Sequence, residues 1–527
     1  MALGETPDRP FFKEGHDMSV SKIKFLFIAA LWGGCCTGIG CGRDKAWPQA
    51  DIRGNEVAPL VPDLQNVTIP PNIAPLNFKI VKPAEKYRAV LASRDHARLV
   101  VESAAPSVLF PEKKWRAILA NCAGGDLVLT VSIREPGRNY TVFAPCTIHV
   151  ARESIDPYIA YRIIKPIYNW WNDVGVYARD LEAFDEREII TGARFENGCV
   201  NCHSFLNNDP GHFTVSVRSK KFGNTCIFIA GDRAFKQNSK FGYSSWHPGG
   251  KIIAFSSMQV NQFFHTARSE VRDVIDMSSS LAYYDIDRHA VRKINNLINA
   301  NELQTYPAWA PDGKTLYFCS APVLWDNSDT IPPRDYAKVR YGLQKIDYDV
   351  SSDKWGKPET VLSSYRTGRS MVMPRVSPDG KFLLFCMCDY GVFPAFQKSS
   401  DLYCMDLASG EYWKLGCNSG ESESWHCWSS NGRWIAFSSK RSDGVFTRIY
   451  LCYIDKSGKS GKPFVLPQRD PFFYDSFMRT YSVPEFLTGP PRVRPVEIGR
   501  AVRSLPPVDG KTSATIQKDN PWAQLHQ

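Results

Sequence analysis

Four copies of one twelve-residue unit constrain this chain of 527 residues more than any other feature. The units begin at Trp246, Trp309, Val376 and Trp428, so that successive starts lie 63, 67 and 52 residues apart. Each unit has a Pro-Asp-Gly-Lys turn or a close variant of it, followed by an apolar run such as IIAFSS or TLYFCS. Self-similarity of this kind is the signature of a repeat architecture in which each unit is one supersecondary element.

The residues of the unit explain what it forms. Proline presets φ, aspartate hydrogen-bonds locally and glycine accepts a positive φ, so the first half is a tight turn. The apolar run has the length of a strand buried on both faces. A second strand follows in every unit, at 281–287, 341–350, 401–415 and 448–459. A small sheet repeated radially is a propeller blade, so the sequence predicts a β-propeller of about six blades over residues 212–490.

These units resemble the TolB-type propeller repeat, over about residues 212–467. Departures are Gly249 in place of aspartate, Val376 in place of tryptophan, and Ser430-Asn431 in place of Pro-Asp, all of which a turn tolerates. The resemblance implies a TolB-like propeller that binds partners of the cell envelope. A high content of aromatic residues (13%), with 36 Gly and 36 Pro, agrees with a mainly β fold.

Residues 199–203 read Cys-Val-Asn-Cys-His, the motif to which c-type haem is attached. Two intervening residues let the thiols of Cys199 and Cys202 reach neighbouring vinyl groups, and the next residue, His203, falls under the iron as proximal ligand. The alternatives are a redox dithiol, half of a zinc site, or a disulfide. A zinc site needs a second Cys or His pair, and a redox dithiol needs a βαβ context; neither is evident. The sequence therefore predicts one covalent haem c.

The second axial ligand of the iron is left open by the sequence. His212 lies nine residues beyond the motif and is the first candidate for a distal ligand. A distal ligand can come from anywhere in a fold, so other His and Met residues compete, and an iron without one would bind small ligands. The competing residues are Met258, Met371, Met373, His247 and His265.

The N-terminal region indicates export. From Met18 the chain has a positive stretch with Lys22 and Lys24, a short apolar run, and then small residues and cysteines, which together resemble a signal sequence. Cys35 and Cys41 each follow a small residue, as in a bacterial lipobox, although neither fits the usual pattern well. We expect residues 1–41 to be an extension plus signal, with lipidation of Cys35 or Cys41 or a cleaved or uncleaved signal as alternatives, and the rest to lie in the periplasm or at the outer membrane.

The remaining segments are predicted from composition and alternation. Residues 42–75 read as a tether and residues 76–152 as a small immunoglobulin-like β-sandwich in which Cys122 and Cys146 either pair or remain buried thiols. Residues 153–211 read as a haem-binding segment that precedes the propeller, and 491–527 as a poorly ordered tail. Five strand cysteines read as small buried hydrophobes: Cys226, Cys319, Cys386, Cys404 and Cys452.

The whole arrangement also resembles a family of Bacteroidetes-type envelope lipoproteins, which combine a C-x-x-C-H motif and TolB-like repeats with a final segment like Tyr481-Ser-Val-Pro-Glu-Phe. That resemblance implies envelope location and haem. We expect electron transfer or redox-partner docking; the alternatives are a haem enzyme, in which His212, Arg218 or His265 could act, and a scaffold that only binds proteins. Nucleic-acid binding is disfavoured because the net charge of +10 includes no dense basic run. A serine-peptidase function is excluded because no G-x-S-x-G elbow is present.

Overall fold

A computed structural model describes residues 52–94, 97–166, 174–231, 233–239, 241–266, 270–326 and 330–504. The predicted signal, both lipidation candidates (Cys35 and Cys41) and the last 23 residues of the predicted tail lie outside the described residues. The described chain is mainly β, as the sequence predicted. Its α-helices are short, and none of those described has the length and apolar character needed to cross a membrane.

The N-terminal part is a small β domain of two sheets and one helix. One sheet has seven strands and contains the path β1-β9-β8-β10-β3, with β5 and β6 beside β8, and the other has the order β2-β4-β7. The helix α1 (Glu112–Ala120) buries Trp115, whose indole N–H donates to the carbonyl of Ile73 at 2.8 Å. The strands are β1 (Ile52–Val57), β2 (Leu60–Val61), β3 (Val67–Ile69), β4 (Phe78–Ile80), β5 (Lys86–Ser93), β6 (Arg98–Ser103), β7 (Ser107–Val108), β8 (Asp126–Arg134), β9 (Tyr140–Ala144) and β10 (Cys146–Val150).

One prediction for this region needs correction, and one alternative that the sequence left open can be decided. Strands begin at Ile52, so the predicted tether belongs in large part to the domain: β1 and β3 pair in parallel with β9 and β10, which also departs from an all-antiparallel immunoglobulin pattern. Cys146 is a buried thiol whose pKa burial raises to about 11, with its Sγ 4.0 Å from the carbonyl oxygen of Thr147. The pairing of Cys146 with Cys122 is therefore not formed in this structure.

Six sheets of four or five strands follow, and each is one blade of a propeller. The C-terminal strand pairs with the first strand of the ring, so blade 1 contains both ends of the propeller. Blade 1 comprises β11 (Tyr158–Ile164), β12 (Gly175–Asp180), β13 (Glu186–Thr191) and β35 (Thr480–Leu487); blade 2, β14 (Cys199–Phe205), β15 (His212–Ser219), β16 (Gly223–Ala230) and β17 (Arg233–Gln237); blade 3, β18 (Gly242–Trp246), β19 (Ile252–Phe264), β20 (Arg272–Asp285) and β21 (Ala290–Lys293).

The four predicted repeats lie in blades 3 to 6, and short helices join some strands of the ring. Blade 4 comprises β22 (Glu302–Trp309), β23 (Thr315–Pro322), β24 (Gly342–Asp349), β25 (Lys354–Trp355) and β26 (Glu359–Leu362); blade 5, β27 (Ser370–Val376), β28 (Phe382–Cys388), β29 (Asp401–Asp406) and β30 (Tyr412–Lys414); blade 6, β31 (Glu423–Trp428), β32 (Trp434–Ser439), β33 (Arg448–Tyr453) and β34 (Phe464–Val465). The other α-helices are α2 (Ser364–Thr367), α3 (Phe473–Ser476) and α4 (Pro495–Ser504), and the 3₁₀ turns are Gly192–Phe195, Asn295–Leu297, Tyr336–Lys338 and Pro394–Phe396.

The blade count of six agrees with the prediction, but the propeller begins earlier than residue 212. Strands β11–β14 belong to blades 1 and 2, so residues 153–211 are not a separate haem-binding segment. Neither of these blades carries the Trp-x-Pro-Asp-Gly turn, which is why the repeat pattern did not reach them. The tail is also ordered further than expected, because α4 buries Ile498 and Val502 in the apolar core shared by blades 1 and 2.

One strand of each blade faces the axis of the ring, and each of these inner strands has a β-bulge at the same place. In all six, the bulge residue is not glycine but still has a positive φ, between 39° and 59°. Such a backbone costs roughly 1–3 kcal/mol for an L-residue, so its sixfold recurrence marks a structural device. The bulge residues are Cys202, Tyr243, Tyr306, Met373, Trp425 and Val483.

Candidate functional site

A cavity of about 320 Å³ lies in the central channel, and all six inner strands contribute to its lining. This volume is at the lower end of the range for small-molecule sites. Cys199, Cys202 and His203 all line the cavity, because the strand β14 that carries them is the inner strand of blade 2. The structure therefore brings the three predicted haem-attachment residues together at one internal space.

The bulge in β14 explains how a strand presents both thiols to one cavity. In a regular strand, residues three apart point to opposite faces. Here Cys199 pairs with Arg218, the register shifts between Asn201 and Ser204, and Cys202 adopts φ of 54°. The amide of Cys202 donates to its neighbour's side-chain oxygen, Asn201 Oδ1, at 2.8 Å, which stabilises the turn of the backbone. The bulge thus re-aims the chain so that Cys199 and Cys202 face the same space.

The imidazole of His203 has one anchored nitrogen and one without a partner. Its Nε2 lies 2.9 Å from the carbonyl oxygen of Val483, while Nδ1 is buried and has no hydrogen-bond partner among the described residues. Burial, together with the charges of Arg162 and Arg375, lowers the pKa of His203 to about 3. The ring is therefore neutral, with its proton on Nε2 and a lone pair on Nδ1. A metal-binding histidine has this arrangement, with one nitrogen held by a carbonyl and the other available.

Arg162 links the inner strand that carries His203 to the inner strand of blade 1. It is buried in β11, its Nε donates to Ser482 Oγ of β35 at 3.0 Å, and its Nη1 donates to Asn201 Oδ1 of β14. The same amide oxygen of Asn201 receives the N–H of Cys202. One buried guanidinium therefore fixes the Cys-Val-Asn-Cys-His strand against blade 1 and holds a positive charge next to the cavity.

Three aromatic bulge residues cross the channel. The ring of Tyr243 lies 4.1 Å from that of Tyr306 and 5.8 Å from that of Trp425, measured between centroids. Blades 3 and 6 are opposite each other in a ring of six, so the contact of Tyr243 with Trp425 passes across the axis. The three rings line the same cavity as Cys202 of blade 2 and Met373 of blade 5. The cavity therefore has an aromatic wall facing the thiols.

Most of the predicted distal ligands lie elsewhere in the fold. Of the six candidates only Met373, in the inner strand of blade 5, lines the cavity. His212 is paired with Asp209 at 2.6 Å near the surface, His247 bonds the carbonyl of Gly313, and His265 lies 3.4 Å from Asp273. The two remaining candidates, Met258 and Met371, are outside the lining as well.

One histidine of the lining was missed from the sequence. His426 of blade 6 follows the bulge residue of its strand, as His203 does in blade 2. Its Nδ1 lies 3.5 Å from Cys386 Sγ and its Nε2 lies 3.3 Å from the carbonyl oxygen of Leu384. A signal for it exists in the sequence. In the four blades that carry the repeat, the bulge residue stands three positions before the start of the unit, and in blade 6 the residue after the bulge residue is His426.

The predicted haem can be tested against these residues. Within the described ranges no group of three or more His, Cys, Asp or Glu side chains is arranged to hold a metal ion by itself. A haem iron takes four ligands from its own macrocycle and needs one side chain. The cavity offers that side chain in His203, whose buried Nδ1 is unpartnered, and it offers both thiols, an aromatic wall and the nearby guanidiniums of Arg162 and Arg375. The residues present fit the group.

The five strand cysteines named above as buried hydrophobes are confirmed as such. Each of them is fully buried in the blades, where apolar packing holds the thiol. Burial raises the pKa of Cys404 to about 12 and that of the others further. They are therefore protonated and unreactive, which sets them apart from the half-exposed Cys202.

Comparison with known proteins adds little to this description. No protein-family model matches the chain. An uncharacterized protein of Agrobacterium fabrum is 29% identical over 202 residues, which are 34% of this chain and 64% of that protein. The chain thus spans less than two thirds of the length of this relative.

Solved structures with similarity to the chain include other proteins of comparable fold at low identity. TolB from Acinetobacter baumannii is 13% identical, with a TM-score of 0.39, and the match covers 71% of this chain and 85% of TolB. A luciferin-regenerating enzyme is 12% identical, with a TM-score of 0.34, and the match covers 59% of this chain and 87% of the enzyme. The assignment of a six-bladed propeller rests on the sheets themselves.

Proposed function

We propose that this TolB-like propeller carries one covalent haem c in its central channel and serves in electron transfer in the bacterial envelope. Cys199 and Cys202 would form the two thioether links, and His203 would be the proximal ligand. The single observation that carries the proposal is the buried, unpartnered Nδ1 of His203 in a cavity that both thiols also line. A buried polar atom without a partner is rare in folded proteins and calls for a ligand or another explanation.

Each group of the chain has a defined part in this proposal. Bound haem supplies a one-electron change at its iron. The carbonyl of Val483 holds the Nε2 proton of His203, so the lone pair stays on Nδ1. Burial and the two nearby guanidiniums keep the imidazole neutral at physiological pH, which is the form that binds metal. The rings of Tyr243, Tyr306 and Trp425 would present an apolar surface to the haem in the cavity.

Export and partners belong to the same proposal. Haem attachment of this type takes place outside the cytoplasm, and the signal-like stretch after Met18 supports export to the periplasm or outer membrane, with or without a lipid on Cys35 or Cys41. The outer surface of the propeller would dock a redox partner or another envelope protein, as an analogy with other propellers suggests.

The direct test is to produce the full chain with its signal in a bacterium that has c-type haem maturation. We expect a haem absorption spectrum that stays with the denatured polypeptide and a mass increase of one haem. The double variant Cys199→Ser/Cys202→Ser should lose both. Cys226→Ser is the matched control, because Cys226 lies in the same blade but is fully buried and outside the cavity lining. A colourless wild-type protein of unchanged mass would leave a binding propeller as the function.

A second candidate function is a haem enzyme with an open iron position. The observation that favours it is that five of the six predicted distal ligands, all three histidines included, lie outside the cavity and only Met373 lines it. Carbon monoxide distinguishes the two functions, because it binds a reduced five-coordinate iron. A shift of the reduced spectrum on adding carbon monoxide favours the enzyme, and an unchanged spectrum favours electron transfer.

A further inference from the structure

The longest hairpin of the propeller rises above the channel. In blade 3, β19 and β20 have 13 and 14 residues, whereas their inner strand β18 pairs only as far as Ser256. We call the part beyond this point the strap, residues 257–266 and 270–280. Its arms stay paired from Ser257–Ser280 to Phe264–Arg272, with one bulge. Eight residues of strand extend about 26 Å.

One face of the strap forms part of the cavity lining. Val260, Gln262 and Val274 line the cavity, and Gln262 pairs directly with Val274 in the ladder. Directly opposed residues of an antiparallel pair share a face. The cavity is therefore covered on this side by an element of blade 3, above the end of β14 at which Cys199 lies.

The end of the strap is fixed to blades on the far side of the channel. Glu270 accepts from Arg272 of the strap, at 2.8 Å, and from Lys440, which lies in the loop between β32 and β33 of blade 6. Arg272 also donates to the carbonyl of Pro166 in blade 1 and stacks over Phe396 of blade 5, 4.4 Å from the ring centroid. The strap thus begins in blade 3 and ends in contact with blades 5, 6 and 1.

These end contacts are buried ion pairs, not surface ones. The side chain of Lys440 is 6% exposed and that of Arg272 is 9% exposed. Burial works against the charge of Glu270, but the two cations outweigh it and lower the pKa of Glu270 to about 2. A second contact holds the arm itself, because the hydroxyl of Tyr390 in blade 5 donates to Asp273 Oδ2 at 2.5 Å.

We propose that the strap is the gate of the channel cavity and that the cluster of Glu270, Arg272 and Lys440 is its latch. A ligand as large as a haem, or a small molecule that exchanges at the site, enters when Glu270 separates from Lys440, Arg272 separates from Pro166 and Phe396, and the strap swings away from blades 5, 6 and 1. The gate concerns access to the cavity, so it holds whether or not the ligand is the haem of the proposed function.

Hydrogen exchange on the full chain tests the latch. Lys440→Met removes the ion pair that joins the strap to blade 6, while Arg272 keeps its own pair with Glu270. We therefore expect amide exchange in the strap arms to become about tenfold faster or more. The base of the same hairpin, Ile252–Phe255, should keep its protection, which shows that the variant is folded. Lys251→Met is the matched control, because Lys251 pairs with Asp287 at the base and both are exposed. Equal exchange in the strap of both variants would overturn the latch.

Alkylation of Cys202 by N-ethylmaleimide tests the gate. The measurement uses the full chain produced without haem maturation and follows the peptide that contains Cys202 by mass spectrometry. We expect slow alkylation in the wild type and about tenfold faster alkylation in both Lys440→Met and Glu270→Gln. A strap that loosens with no change at Cys202 would show that the cavity is entered elsewhere, and would overturn the proposal. Neither result depends on haem, so failure of the gate and failure of the haem proposal are distinguishable.

Discussion

His203 and His426 occupy the same place in two different blades, yet their surroundings differ in one respect. Both follow the bulge residue of an inner strand, both line the channel cavity, and burial lowers the pKa of both to about 3. His426 has a partner for each ring nitrogen, Cys386 Sγ and the carbonyl of Leu384. His203 has a partner for one nitrogen only, and its other nitrogen is buried without one.

In the proposed function, this difference separates the structural His426 from His203, the proposed iron ligand. The two histidines share their position in the blade and their burial, so neither of these two properties explains why one of them would bind a metal. What distinguishes His203 is an acceptor left unsatisfied at a cost of about 1–3 kcal/mol, in a strand that also carries two thiols. The comparison predicts that substitution of His203 changes the haem spectrum, whereas substitution of His426 changes only the stability of the protein.

The largest expected effect is on the haem spectrum. In the haem-loaded protein, His203→Gly removes the proximal ligand and leaves a space, so we expect a changed spectrum that added imidazole restores, with a dissociation constant on the order of 1 mM. His426→Gly makes a similar space at the equivalent position but should leave the spectrum unchanged with and without imidazole. A titration followed by absorption measures both. Rescue in the His426 variant instead would mean that the assignment of the ligand is reversed.

The acid dependence of stability should be the same for the two histidines. Each has a folded pKa near 3 and an ordinary value near 6.5, so the unfolded state binds more protons between these values and stability falls as the pH falls through this range. An alanine variant does not lose this stability at low pH, whereas the wild type does. The difference between the unfolding free energies of the wild type and the variant should therefore narrow by about 3 kcal/mol from pH 6.5 to 4. Denaturant unfolding of the haem-free protein at the two pH values measures it.

Two buried acids make stability depend on pH in the opposite sense to the histidines, and the comparison with the wild type controls for them. Burial raises the pKa of Asp276 and of Glu485 to about 7. The folded state therefore holds these protons more tightly than the unfolded state, and the stability of the protein falls as the pH rises toward 7. Both acids are present in the wild type and in both alanine variants, so they cancel in the difference. A gap that stays constant with pH would show that the histidines are not held neutral by the fold.

The sequence predicted the repeated part of the fold better than its ends. The turns at Trp246, Trp309, Val376 and Trp428 place four inner strands and their neighbours, because glycine and proline at fixed spacing determine a turn locally. Blades 1 and 2 have no such turn. The closing strand Thr480–Leu487 pairs with Tyr158–Ile164, more than 300 residues away, and such a long-range pairing leaves no local trace in the chain.

The site was predicted in part, for a similar reason. Cys199, Cys202 and His203 stand out as a motif, and the structure places them at one cavity. The strand that carries them was not predicted. Its spacing nevertheless matches that of the repeats: Cys202 lies three residues before Phe205, as Tyr243 lies three residues before Trp246, where a repeat unit begins. Five of the six distal candidates lie outside the cavity, because residue type alone does not say which side chains meet across a channel.

The smallest expected effect is the cost of each histidine to the stability of the haem-free protein. His203→Ala and His426→Ala remove rings of equal volume from equivalent buried positions, and each leaves one carbonyl oxygen unpaired. The second also leaves the thiol of Cys386 without its imidazole contact at 3.5 Å. We therefore expect His426→Ala to cost about 0.5–1 kcal/mol more than His203→Ala in urea unfolding at pH 7. Haem is absent from this measurement. An equal or larger cost for His203→Ala would therefore mean that Nδ1 of His203 already has a structural partner. That result would remove the observation that points to a ligand.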